Sequence, residues 1–149
     1  MKRRNVITTL SFLAVGSASA VYGHPRKKQA TIVLVHGAWH GGWCWKKVVP
    51  LLRAYGNDVY APTLTGLGER SHLLHQQIDL DLHIQDIVAM LDYEDLHDVT
   101  LVGHSYGGMV ITGVADRERA RINKLVYLDA FMPDNGKSLQ DYTPTAFEK

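Results

Sequence analysis

Ser105 stands between two glycines, Gly103 and Gly107, in the run Val102-Gly103-His104-Ser105-Tyr106-Gly107-Gly108. The apolar run Val99-Thr100-Leu101-Val102 ahead of it reads as a strand, and Tyr106 to about Arg117 reads as a helix. A serine at such a junction lies on a sharp turn, and the small residues two positions away let neighbouring backbones approach. The turn solves one problem of nucleophilic chemistry, because the hydroxyl is presented rather than packed. It leaves the other open, since an unactivated serine hydroxyl attacks poorly without a base. Ser105 is therefore the candidate nucleophile, and the turn requires a strand before it and a helix after it.

The rest of the chain extends that pattern. Thr31-Ile32-Val33-Leu34-Val35 is β-branched and apolar without alternation, as in a strand buried on both faces of a parallel sheet. A Gly-rich stretch, His36 to Gly42, follows, then a helix expected from about Trp43 to Tyr55 and stopped by Gly56-Asn57. Asp58-Val59-Tyr60-Ala61 reads as a second strand ended by Pro62, and Pro62 to Gln77 as a loop. Leu80, Ile84, Ile87, Val88 and Leu91 keep helical spacing from Asp79 to about Tyr93. Lys124 to Leu128 is a fourth strand, whereas Phe131 to Lys149 shows no element. Strands alternating with helices predict an α/β fold with a mainly parallel sheet flanked by helices.

Acyl chemistry at Ser105 also needs donors for the developing oxyanion. The residue after the nucleophile supplies one backbone N–H, here that of Tyr106. The second is expected from the Gly-rich loop after the first strand, where the Ala38 N–H can be brought toward Ser105.

Three segments tie these features to a known group. His36-Gly37-Ala38-Trp39-His40-Gly41-Gly42-Trp43-Cys44-Trp45, Pro62-Thr63-Leu64-Thr65-Gly66-Leu67-Gly68-Glu69-Arg70-Ser71-His72 and Leu128-Asp129-Ala130-Phe131-Met132-Pro133 resemble one branch of the α/β-hydrolase superfamily. That branch includes the methyl-salicylate and methyl-jasmonate type esterases, the hydroxynitrile lyases and many bacterial esterases. The lyases carry a hydroxyl residue where this chain has Gly37 and an acid where it has His104. The resemblance thus implies a carboxylic-ester hydrolase acting through an acyl-enzyme on a small, largely apolar substrate, with lyase chemistry disfavoured. It implies that Gly37, Trp39, His40 and His104 border the substrate. No cofactor or metal is required by a serine mechanism.

The family order is serine, then acid, then histidine, yet all eight histidines here (24, 36, 40, 72, 75, 83, 97 and 104) precede Ser105. Asp129, ending the fourth strand, is a candidate acid, although the branch takes its usual acid one strand later. The resemblance implies the N-terminal half of the fold, with late strands and cap missing and the cap beginning about residue 131. On this reading the 149-residue chain is weakly active or silent. A non-catalytic ligand-binding relative and a non-functional gene fragment are the alternatives. His72, His75 and His83 complete no known metal site and read as a solvated or site-lining group. Trp43 and Trp45 read as core contacts at a helix start.

Composition sets the outer limits. With 46% hydrophobic and 21% charged residues, 149 residues suffice for one domain with a core but not for two. A net charge of +1 gives no reason to expect a nucleic-acid partner. Lys2-Arg3-Arg4, the apolar Val6 to Val15 and Ala18-Ser19-Ala20 form a secretory signal over residues 1–20, of Sec or twin-arginine type. Residues 21–30 then form a polar leader, and 31–149 the partial hydrolase domain. Export to the periplasm or beyond is expected, without stable membrane insertion once the signal is removed. The single Cys44 neither supports nor opposes this.

Overall fold

The computed structural model describes residues 30–143; the expected signal segment, and the leader apart from Ala30, lie outside them. Four strands form one sheet: β1 (Thr31–Val35), β2 (Asp58–Tyr60), β3 (Val99–Ser105) and β4 (Ile122–Ala130). Their order is β2-β1-β3-β4, and every pairing is parallel. The unalternating β1 lies in the middle, with Val33, Leu34 and Val35 all buried, because helices cover both faces of such a sheet.

Each strand-to-strand crossing carries helical structure. On one face α2 (Leu80–Tyr93) and α3 (Gly107–Arg117) enclose the main core, built from Val33, Val35, Ile87, Leu91, Leu101 and Val110 among others. Asp79 caps α2 by accepting the Leu82 N–H at 2.9 Å, satisfying one of its orphan donors. On the opposite face a smaller cluster joins Leu34, Trp45 and Val59, with Leu52 against it from α1 (Val49–Ala54).

The single helix expected over 43–55 is two pieces, a 3-10 turn at Gly42–Trp45 and then α1. Pro50 explains the break: within a continuous helix it would forfeit a hydrogen bond and strike the carbonyl four residues back, whereas the first turn tolerates it. The split also parts the two tryptophans. Trp45 is buried, but Trp43, expected in the core, is 52% exposed, since a tight turn of this kind sends neighbouring side chains in different directions. The 62–77 loop contains a further 3-10 segment, Gly68–Leu73. A short helix α4 (Leu139–Tyr142) follows β4, started by a capping box between Ser138 and Asp141, a signal present in the sequence and overlooked there. Among the described residues no helix is long and apolar enough to cross a membrane.

The pairing decides where chemistry can occur. β1 and β3 run side by side to their last shared pair, Val35 with Gly103. The loop after β1 and the turn after β3 therefore emerge together at the carboxyl edge of the sheet, where open α/β sheets place their ligands.

Candidate active site

β3 runs straight into the turn: its last residue is Ser105, and α3 begins at Gly107. Ser105 has φ 52°, a left-handed conformation that costs a non-glycine residue about 1–2 kcal/mol and persists only where the surroundings enforce it. The enforcement is backbone packing. A Cβ on Gly103 would lie 2.6 Å from the Gly107 carbonyl oxygen, and one on Gly107 would lie 2.6 Å from the Val35 carbonyl oxygen. On the far side the Phe131 N–H donates to the Ser105 carbonyl at 3.1 Å. The glycines thus let the turn sit down between β1 and the segment leaving β4.

The loop after β1 closes on the same point. A Cβ on Gly37 would lie 3.1 Å from Ser105 Cβ and 3.1 Å from His104 Nδ1. His36, fully buried, fixes that loop with both ring nitrogens. Its Nε2 accepts the Leu64 N–H at 3.1 Å, so the proton is on Nδ1, which donates to the Gly37 carbonyl at 2.8 Å. Burial holds the His36 pKa below its ordinary value, as expected for an imidazole kept neutral away from water. Because the peptide bond is planar and trans, fixing the Gly37 carbonyl also fixes the direction of the Ala38 N–H at its other end. Neither the Ala38 N–H nor the Tyr106 N–H donates to another group among the described residues.

Above these donors lies a cavity of about 390 Å³. Ser105, Ala38, Trp39, Tyr106, Phe131 and Leu67 contribute to its wall, with His83, Leu139 and Thr143 completing it. The lining is mostly apolar and aromatic, with few polar groups, as in sites for small organic molecules. Trp39 reaches it from an exposed position at φ 59°.

The structure brings Ser105, Gly37, Ala38, Trp39 and Tyr106 together and leaves three other candidates apart. His104 packs edge-on against Trp45 at 6.3 Å between ring centroids and against His40 at 6.2 Å, so it belongs to the opposite face of the sheet. Adjacent strand residues point to opposite faces, which separates it from Ser105. His40 is turned back on its own loop, its Nδ1 2.8 Å from the Ala38 carbonyl oxygen. Neither lines the cavity. Asp129 is the extra residue of a bulge, since Leu128 pairs with His104 and Ala130 with Ser105; it has φ 45° and is exposed. Among the described residues its carboxylate accepts no hydrogen bond, and no histidine is hydrogen-bonded to the Ser105 hydroxyl.

Of the three histidines read from the sequence as a solvated or site-lining group, His83 is the one that lines the cavity. It is 6% exposed, unlike His72 and His75, which are exposed. A signal was there: position 83 follows Leu80 by three and precedes Ile87 by four, which places it on the apolar face of α2. Its Nδ1 is 2.9 Å from the Tyr106 hydroxyl and its Nε2 is 2.9 Å from the Thr65 carbonyl oxygen. Burial, with a smaller contribution from the Asp79 charge, pushes the Tyr106 phenol up to about 12.

Comparison with known proteins agrees with this architecture. A model of the alpha/beta hydrolase family matches residues 32–147. A carbendazim hydrolyzing esterase of Nocardioides sp. (strain SG-4G) is 55% identical over 117 residues, covering 78% of this chain and 48% of that protein. Salicylic acid-binding protein 2 of Nicotiana tabacum is 38% identical over 112 residues, covering 73% of this chain and 42% of that protein. Among solved structures, an extracellular alpha/beta-hydrolase from a Paenibacillus species superposes with a TM-score of 0.70 at 34% identity, over 75% of this chain and 45% of the other. The chain spans less than half the length of each of these relatives. Matched over most of its length by the family's model, and folded as a parallel sheet with the Ser105 turn at its carboxyl edge, the chain belongs to the alpha/beta hydrolase family.

Proposed function

We propose that this chain carries the nucleophile and the oxyanion donors of a serine hydrolase for small carboxylic esters. The observation that carries the reading is that Ala38 and Tyr106, whose backbone N–H groups donate to no other group among the described residues, line one cavity with a serine held at positive φ. In the reaction the Ser105 oxygen attacks the ester carbonyl carbon and its proton passes to a base. The carbonyl oxygen, now negative, is met by the two N–H groups, and collapse expels the alcohol to leave an acyl-serine. A donor whose direction is set in advance, as His36 sets that of Ala38 through the Gly37 carbonyl, needs no reorganisation as that charge appears.

The base and acid are not assigned among the described residues. A serine hydrolase without its histidine keeps only what binding and the oxyanion hole provide, a loss of several orders of magnitude. The 149-residue chain is therefore expected to bind esters far better than it turns them over. An aromatic, mostly apolar cavity of about 390 Å³ suits a compact ester with a planar group. The 55%-identical relative is a carbendazim hydrolyzing esterase, so carbendazim is the first compound to offer. The basic and apolar run over residues 2–15, with Ala18-Ser19-Ala20 after it, supports export of the product. N-terminal sequencing of secreted material, expected to begin at Val21, tests that part.

Slow labelling by a fluorophosphonate probe tests the nucleophile. The adduct is expected on Ser105 alone and lost in Ser105→Ala, while hydrolysis of p-nitrophenyl acetate stays several orders of magnitude slower than by a serine hydrolase with its full triad. Labelling that persists in Ser105→Ala removes the assignment of the nucleophile. Rapid turnover that Ser105→Ala abolishes removes the expectation that the base is lacking.

A further inference from the structure

His83 lines the same cavity as Ser105, is buried, and takes no part in the ester chemistry above. Both of its ring nitrogens are committed. The Thr65 carbonyl oxygen at 2.9 Å from Nε2 can only accept, so Nε2 carries the proton. Nδ1 of the neutral ring is then a bare acceptor, and the Tyr106 hydroxyl at 2.9 Å donates to it. A phenol raised to about 12 keeps that proton at neutral pH. The far end of the chain of bonds is anchored as well. Asp86, one helical turn after His83 on α2, accepts the Thr65 N–H at 2.6 Å and the Thr65 hydroxyl at 2.8 Å.

A continuous hydrogen-bonded path, Asp86 to Thr65 to His83 to Tyr106, thus runs from α2 through the loop after β2 to the residue beside the nucleophile. Tyr106 is the N-cap of α3 with no side-chain capping bond of its own; its ring packs against the main core, and this path adds a polar restraint on its hydroxyl from outside the turn. We propose that His83 is a positioning residue which, as the neutral ring protonated on Nε2, anchors the Tyr106 side chain and so keeps the Tyr106 N–H aimed beside Ser105. The inference rests on the serine-esterase reading for the use of that N–H, but the anchor itself is testable without turnover.

Glutamine can supply both an acceptor and a donor in place of the ring, and leucine neither. In the full chain, long-range proton–nitrogen spectra are expected to show Nε2 protonated and Nδ1 bare, with Tyr106→Phe moving the Nδ1 resonance. The Tyr106 amide is expected to be ordered, with an order parameter of about 0.85, falling below about 0.6 in His83→Leu and returning in His83→Gln. The maximal rate of fluorophosphonate labelling at Ser105 should fall about tenfold in the leucine variant, as for loss of an oxyanion donor's alignment, with the half-saturating probe concentration little changed. A proton on Nδ1, an unaltered Tyr106 amide in a folded His83→Leu chain, or no rescue by glutamine overturns the proposal. Should His83→Leu fail to fold, the ring spectra of the native chain and Tyr106→Phe decide it. If Ser105 never labels while the ring and amide responses hold, the esterase reading fails and the anchor stands.

Discussion

At the residue scale, the site is made by what the glycines omit. Adding a methyl group to Gly103 drives it into backbone atoms of Gly107 and Gly108 at 2.6–2.9 Å, and backbone cannot rotate away as a side chain can. Gly103→Ala is expected to destabilise the chain by about 1–3 kcal/mol in urea denaturation and to slow labelling of Ser105 along with it. Gly113 gives the contrast, because there the added Cβ meets only the Ile84 side chain, nearest at Cδ1. That side chain is flexible, so Gly113→Ala should be the milder change. His36 carries the pH dependence of the same site. Its folded pKa lies below the ordinary 6.5, so on acidification the unfolded chain takes up a proton that the folded chain refuses. The stability contributed by the buried neutral ring is complete above about pH 6.5 and declines as pH falls from there toward the folded pKa. Urea midpoints should drop on going from neutral to mildly acidic buffer, and the His36 ring resonances should not titrate near 6.5.

At the scale of elements, α2 links stability to chemistry. One face of it supplies Ile84, Ile87, Val88 and Leu91 to the core, while His83 and Asp86 from the same helix hold Tyr106 and the loop after β2. Ile87→Ala should cost about 2–5 kcal/mol, as for any fully buried aliphatic cut back to alanine. Asp79→Ala removes the cap and should cost about 1 kcal/mol, measurable as a lower thermal midpoint. The loop after β2 is a second joint. Its consecutive residues Leu64 and Thr65 contact His36 and His83 in turn, so one short segment braces both proposed oxyanion donors.

At the scale of the whole molecule, the sheet is unequal at its two sides. β1 and β3 are buried between neighbours, whereas β4 pairs only with β3 among the described residues and exposes Leu128 at 47%, with Met132 just beyond it at 67%. A long strand with an unpaired edge and apolar side chains nearby is a template for association. Sedimentation of the purified chain is expected to show concentration-dependent self-association, reduced by Leu128→Lys together with Met132→Lys. A chain that stays monomeric at high concentration would remove this expectation.

Local chemistry in the sequence was enough to determine the α/β class, the four strands, the turn at Ser105 and the Gly-rich loop that meets it. Each is encoded by near neighbours: glycine where backbones touch, β-branched residues where a strand is buried on both faces, and apolar residues in register along a helix. The break at Pro50 and the capping box at Ser138 are equally local, yet one helix was expected across 43–55 and no element after Phe131. Tertiary structure alone decided which side chains share the cavity. Ser105 and His104 are adjacent in sequence yet fall on opposite faces of the sheet, while His83 and Tyr106 are brought together from separate helical segments. Such meetings depend on strand order and helix packing, which sum many weak contacts across the whole chain, and no short stretch of sequence records that sum.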